Sequence, residues 1–303
     1  GRGRCVVAGG SGSPSLLSSC EKIDIATLSN ATDFGDISAA RSFFDGCSSS
    51  TRGVVGGGGE PSAVATIEYF TMSSEGGAND FGDLTFARRY LASANSSTRG
   101  LFLNAYAPKT NSIEFVTIAT TGNATDFGDS TAARQADSGT SSPTRAVVPG
   151  GEGLAGNSHN PNANSSSPFA ENIIDFVTIA TLGDAKDFGD RTVSGWGVGA
   201  TGNSTRGLFF GANPSKSDVI DFVTIASKGN ATDFGNLLAG DGYSNGGSSK
   251  TRALMTGGST PNVTNVIQFV TIVTTGNAVD FGDLNAARAR GAAFSDSNGG
   301  LIQ

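Results

Sequence analysis

The stretch IEFVTIATTGNATDFGD, Ile113 to Asp129, decides how the chain is read, because near-copies of it run from end to end. Its DFGD-type core begins at Asp33, Asp80, Asp126, Asp187, Asp233 and Asp280, at spacings of 47, 46, 61, 46 and 47 residues. Self-similarity at a fixed period of this size marks a repeat architecture. The first half, IEFVTIAT, alternates and is rich in β-branched and aromatic residues, which favours a strand. The Gly122-Asn123 pair then suits a tight hairpin, and DFGD returns as a second strand.

Outward from that core, turn residues divide each period into four strand-like pieces, A to D in chain order. B opens with Arg and runs into Gly, as in Thr51 to Gly59 and Thr98 to Tyr106. C begins at Ile113, Ile174, Ile220 and Ile267, D is the TDFGDLT piece, and A is a small-residue segment such as Ala87 to Ser97. No helical periodicity competes, and four short antiparallel strands per period make a propeller blade. The expected fold is all-β: a six-bladed β-propeller of four-stranded blades in one domain, 1–303, with an insertion at 149–168 in the fourth repeat. The chain begins on a B strand (Arg4 to Gly10) and finishes on an A strand (Arg288 to Ser297), so the terminal strands are expected to pair and remove the open edges of a linear array. GRGRCVVAGG reads as the middle of a repeat, which suggests processing from a longer product. Gly300 to Gln303 resemble the start of another B strand, as a fragment of a longer array would have.

Composition narrows the function classes. No run approaches the ~18 apolar residues of a membrane-spanning helix, so no membrane insertion is expected. A net charge of −7 and a pI near 4.7 argue against a nucleic-acid surface, which ordinarily carries a basic stripe. Cys5, Cys20 and Cys47 have no CxxC spacing. They read as buried free thiols, with a Cys5–Cys20 bridge as the alternative in an oxidising compartment.

The order R…RGxFxGG…IxFVTIA…DFGDLxxAR resembles a Kelch-type repeat. Kelch blades carry paired Gly at the end of strand B, an aromatic on strand D and an Arg after it, places held here by Gly57, Gly58, Phe81 and Arg88. The chain departs from that pattern in having Phe for the usual Trp and in losing the Gly pair at Asn104 and Ala105. The GNATDFGDLTxAR wording is also similar to repeats in structural or tail-fibre-like proteins of marine bacteriophages, notably cyanophages. That resemblance implies a virion protein, extracellular, with other virion proteins and a host-surface glycan or receptor as partners and a homo-oligomer in the assembly.

Positions on which the six copies agree mark scaffold. The Phe of DFGD (Phe34, Phe81, Phe127, Phe188, Phe234, Phe281) is expected to plug neighbouring blades together, its flanking Gly allowing close approach. The kinase DFG motif is excluded by six tandem copies without a nucleotide loop. Arg4, Arg52, Arg99, Arg145, Arg206 and Arg252 are expected to pair with the DFGD carboxylates across blades. Calcium at those carboxylates is the rival reading, but it takes six to eight oxygens and Asn236 replaces the second Asp in blade five. Asn30, Asn123 and Asn230 stand in glycosylation sequons, as do Asn95, Asn164, Asn203 and Asn262; turn chemistry is the favoured reading, since Asn tolerates left-handed backbone and Thr favours the following strand.

Differences concentrate between B and C, on the face where the D-to-A crossings also emerge. Pro149 to Pro168 is the largest, a Gly, Asn and Ser-rich loop holding the only histidine, His159. Phe43, Tyr90, Trp196 and Tyr243 gather on the D-to-A side, Trp196 and Tyr243 where their blades lack the usual Arg (Gly195 and Asp241). These aromatics either fill the tapering channel or stack on a sugar. The candidate interaction face is Tyr90, Tyr106, His159, Trp196 and Tyr243. No catalytic residues, metal ligands or cofactor are expected, since one His and no zinc-spaced Cys leave no constellation. The function expected is a non-enzymatic virion structural protein, a tail or capsid appendage. The alternatives are a cellular or secreted Kelch-type interaction module, or a carbohydrate-binding propeller.

Overall fold

The computed structural model describes residues 3–59, 61–106, 108–135, 138–153, 169–259 and 261–297. They form six antiparallel sheets in which strands run A-B-C-D, a six-bladed β-propeller. Strand A of each blade touches strand A of the next around a central axis, and D is the outer edge. In blade one, A is the C-terminal Ala292–Ser295 and B the N-terminal Arg4–Ser11, paired from Cys5 with Ser295 to Ala8 with Ala292. The terminal strands therefore close the ring, as the repeat phase requires.

The core consists of six apolar clusters, each shared by two neighbouring blades and each containing one DFGD Phe. Phe127 of blade three, for instance, packs with Ala146, Val148, Val177 and Ile179 of blade four. Beside each Phe the chain docks on its neighbour. In blade three (D, Thr125–Asp129) the carbonyl of Phe127 accepts the N–H of Gly183 at 2.9 Å, and that of Asp129 accepts Ala185 at 2.7 Å. Gly128 has φ 145°, and a Cβ there would lie 2.6 Å from the Gly183 carbonyl. The agreement among copies reflects this joint.

Gly122 and Asn123 are not the hairpin apex. Strand C ends at Thr117, the chain turns by Thr120 N–H to Thr117 carbonyl, and D begins only at Thr125. Gly122 instead donates to Phe81 of blade two, and the Asn123 side-chain oxygen accepts the N–H of Asp83 at 3.0 Å. Asn30, Asp184, Asn230 and Asn277 make the same contact. Two further sequon residues, Asn95 and Asn203, are buried with their amide nitrogens bonded to neighbouring carbonyls. Asn164 lies outside the described residues.

The Arg that opens strand B does cross to the next blade, but not to the DFGD carboxylates, which are mostly exposed. Arg52 donates to the Ile118 carbonyl at 3.0 Å while its guanidinium lies 4.2 Å from the Tyr69 ring, and Arg99, Arg145, Arg206 and Arg252 repeat both contacts. Carbonyls at the end of strand C are within reach of that Arg, whereas the Asp side chains point to water on the outermost strand.

The buried charge pairs belong to a different Arg, the one after DFGD. Arg41–Glu68, Arg88–Glu114, Arg134–Asp175, Arg191–Asp221 and Arg288–Glu21 each join a D-to-A crossing to strand C of the next blade, nearly without exposure. Blade four, which has Gly195 at the usual Arg position, supplies Arg191 instead. Between blades five and six both members change together. Asp241 replaces the Arg and accepts from Gly242, Ser259 and Ser244, and Gln268 replaces the acid, receiving the Leu238 N–H at 2.9 Å. Burial lowers Arg88 to about 10, against the opposing pull of Glu114.

All three cysteines are free and buried. Cys5 packs in the cluster between blades six and one, and Cys20 in the cluster between blades one and two. The two lie on opposite faces of one sheet, which rules out the Cys5–Cys20 bridge. Burial pushes both thiols up to about 12 and raises Cys47 as well.

Candidate binding face and channel mouth

The length of strands B and C distinguishes the blades. In blades two, five and six, strand B ends after five residues, at Gly56, Phe210 and Thr256. In blades one, three and four it continues to Ser11, Tyr106 and Gly153, with matching long C strands. Pro149 to Gly153 are therefore strand, not loop. The lengthened blade-four strand also pairs with Arg134–Gln135, recruiting the adjacent crossing. Blades one, three and four thus build the B-to-C stretch as extended ladder, where blades two, five and six end the ladder early and connect the strands through residues 57–65, 211–218 and 257–265. Residues 154–168, and with them His159, lie outside the described residues.

On the same face the D-to-A crossings meet at the axis. The N–H of Tyr90 donates to Phe43 at 2.8 Å, Phe43 to Arg290 at 2.7 Å, Arg290 to Tyr243 at 3.1 Å and Tyr243 to Gly197 at 2.7 Å. All five residues have left-handed φ, between 59° and 66°. Such backbone strain in non-glycine residues persists only where the surroundings over-determine it. Here a hydrogen-bonded belt linking five crossings does so, and it turns the side chains toward the axis.

Those side chains meet. The Phe43 ring lies 3.8 Å from Tyr90 and 6.3 Å from Tyr243, centre to centre, and the Arg290 guanidinium lies 5.1 Å from Phe43 and 4.6 Å from Tyr243. Tyr90 continues to Tyr106 at 5.5 Å, and Lys109 sits 4.8 Å over Tyr106 while pairing with Glu152 at 3.7 Å. Tyr90, Tyr106 and Tyr243 are therefore one aromatic array organised by Phe43. Trp196 is half-buried beside it. It exchanges backbone hydrogen bonds with Asn213, and its neighbour Gly197, where a Cβ would lie 3.0 Å from the Tyr243 ring, takes the axial position. The channel-filling reading accounts for Phe43 and for the inner faces of Tyr90 and Tyr243, while Tyr106, 39% exposed, stays available.

Below this mouth, strand A residues line a polar cavity of about 60 Å³. A second belt surrounds it, made by side chains. Ser48 donates to the Ser295 carbonyl, Asn95 to Ser48, Ser141 to Asn95, Ser248 to Gly202 and Ser295 to Ser248, all between 2.6 and 2.8 Å. Gly202 has no side chain to continue it, and Asn203 bonds instead to Lys250 at 3.0 Å. The serine hydroxyls that line the cavity are thus already committed to neighbouring carbonyls.

Arg290 and Asn245 escaped sequence reasoning. The signal was present, since residues 43, 90, 243 and 290 occupy one repeat phase and the last reads Arg where the others read aromatic. Among the described residues, no group of three or more His, Cys, Asp or Glu could hold a metal ion. No family model matches the chain, and no curated protein matches it in sequence.

Proposed function

We propose that the protein is a non-enzymatic structural and binding module of a virion, a propeller that seats on the particle by its uniform C-to-D face and turns its varied face outward to a host-surface glycan or to another virion protein. The observation that carries the binding half is that the extended B-to-C ladders, the exposed Tyr106 and the axial aromatic array all fall on one face of an otherwise repetitive ring. Fold alone assigns no function, so the weight rests on that asymmetry. The virion half rests on the resemblance of the GNATDFGDLTxAR wording to phage structural repeats. Exposed Tyr106 with half-buried Tyr90 and Trp196 favours a glycan among the ligands, because flat rings beside polar groups suit a sugar face.

Mass spectrometry of purified particles should detect the protein, and its absence would sink the virion reading. For the binding half, the double variant Tyr106→Ala, Trp196→Ala should weaken attachment to host cells with an unchanged melting temperature. Undiminished attachment would move the binding surface elsewhere.

A further inference from the structure

Two donors at the axial mouth have nothing to donate to. Arg290 and Asn245 line a cavity of about 10 Å³ together with Phe43, Tyr90, Tyr243 and Ser244. The Nε of Arg290 and the Nδ2 of Asn245 are both buried and neither has a hydrogen-bond partner. Asn245 is 8% exposed. Buried polar groups are nearly always paired, so two unpartnered donors on residues that line one small space call for an acceptor. The space admits about one water-sized atom.

Arg290 also differs from the other arginines of the rings. The five that follow DFGD each pair with a buried acid, and the six that open strand B each bond a carbonyl of the next blade. Arg290 has neither kind of partner among the described residues. It is instead held over the faces of Phe43 and Tyr243. A guanidinium fixed by aromatic rings, with its fork unspent, binds a planar carboxylate well.

We propose that the mouth recognises a carboxylate-bearing sugar residue. One carboxylate oxygen enters between Arg290 and Asn245, and the ring of the sugar lies against Tyr90 or Tyr243. The proposal rests on the glycan reading of this face and narrows it to acidic sugars.

The test is calorimetric titration of the full chain with a glucuronate-containing oligosaccharide and with the same oligosaccharide after reduction of its carboxyl groups. The acidic form should bind about tenfold or more tightly than the reduced form, as loss of a charge-assisted hydrogen bond implies. Arg290→Asn keeps a residue that tolerates left-handed backbone, and Asn245→Ala removes the second donor. Each should cost the acidic ligand about tenfold and leave the reduced ligand unaffected, with melting temperatures near that of the parent. Equal binding of both oligosaccharides, no binding of the acidic one, or full binding by a folded Arg290→Asn would overturn the assignment. Host attachment lost in the Tyr106/Trp196 variant, despite any of those results, would leave the face reading standing and only the acidic-sugar assignment refuted.

Discussion

Replacing Glu114 by Gln would leave the Arg88 guanidinium fully buried with no opposing charge. Breaking such a pair from one side ordinarily costs about 3–5 kcal/mol, because the remaining charge stays desolvated. Denaturant unfolding of Glu114→Gln should show that loss, whereas Lys22→Gln, which removes an exposed pair with Glu75, should change stability by less than about 1 kcal/mol. At the one junction where Asp241 stands in place of the Arg, the strand C acid is replaced by neutral Gln268, and the buried Asp241 carboxylate is held by hydrogen bonds from Gly242, Ser244 and Ser259. The thiols give a second prediction. Their folded pKa of about 12 at Cys5 and Cys20 lies above the unfolded value near 9.0. Between those values the unfolded chain releases protons that the folded chain retains, so stability should be intact below pH 9 and fall as pH rises toward 12. Thiol titration at pH 8 should find no reactive cysteine in the native protein and three after denaturation.

At the scale of the strand, the joint is the vulnerable part. Gly128→Ala places a Cβ against the Gly183 carbonyl and forces φ near 145° on alanine. A cost on the order of 2 kcal/mol or more is expected by thermal unfolding, while Gly122→Ala, whose Cβ would meet nothing within 4 Å, should cost less because it bears only the backbone penalty. The strands themselves were legible because the 46- and 47-residue period, the alternation of IEFVTIAT and the phase of the two ends all agree. The Gly122-Asn123 pair misled because a local turn signal and an inter-blade contact select the same small, left-handed-tolerant residues. The buried Arg–acid ring escaped because its acid is a single polar residue inside strand C, Glu114 in IEFVT or Asp175 in IDFVT, where alternation suggests solvent. Only the partner across the blade junction reveals that the position is buried. The aromatic array was visible as residues, but its convergence depends on the left-handed belt, which no single repeat displays.

Taken as a ring, the molecule divides its tasks between its two faces and its rim. The rim is six exposed D strands, and their DFGD aspartates put charge on edges that would otherwise invite pairing with another sheet. The C-to-D face carries the joints and the exposed aliphatics Leu28, Leu182 and Val273, at 60%, 61% and 64% exposure. The opposite face carries the extended B-to-C ladders, Tyr106, Trp196 and the axial mouth. Hydroxyl-radical footprinting of the protein on intact particles, compared with the purified chain, tests this division most directly. Leu28, Leu182 and Val273 should lose reactivity on the particle while Tyr106 and Trp196 keep theirs; protection of Tyr106 and Trp196 with free aliphatics on the other face would contradict it.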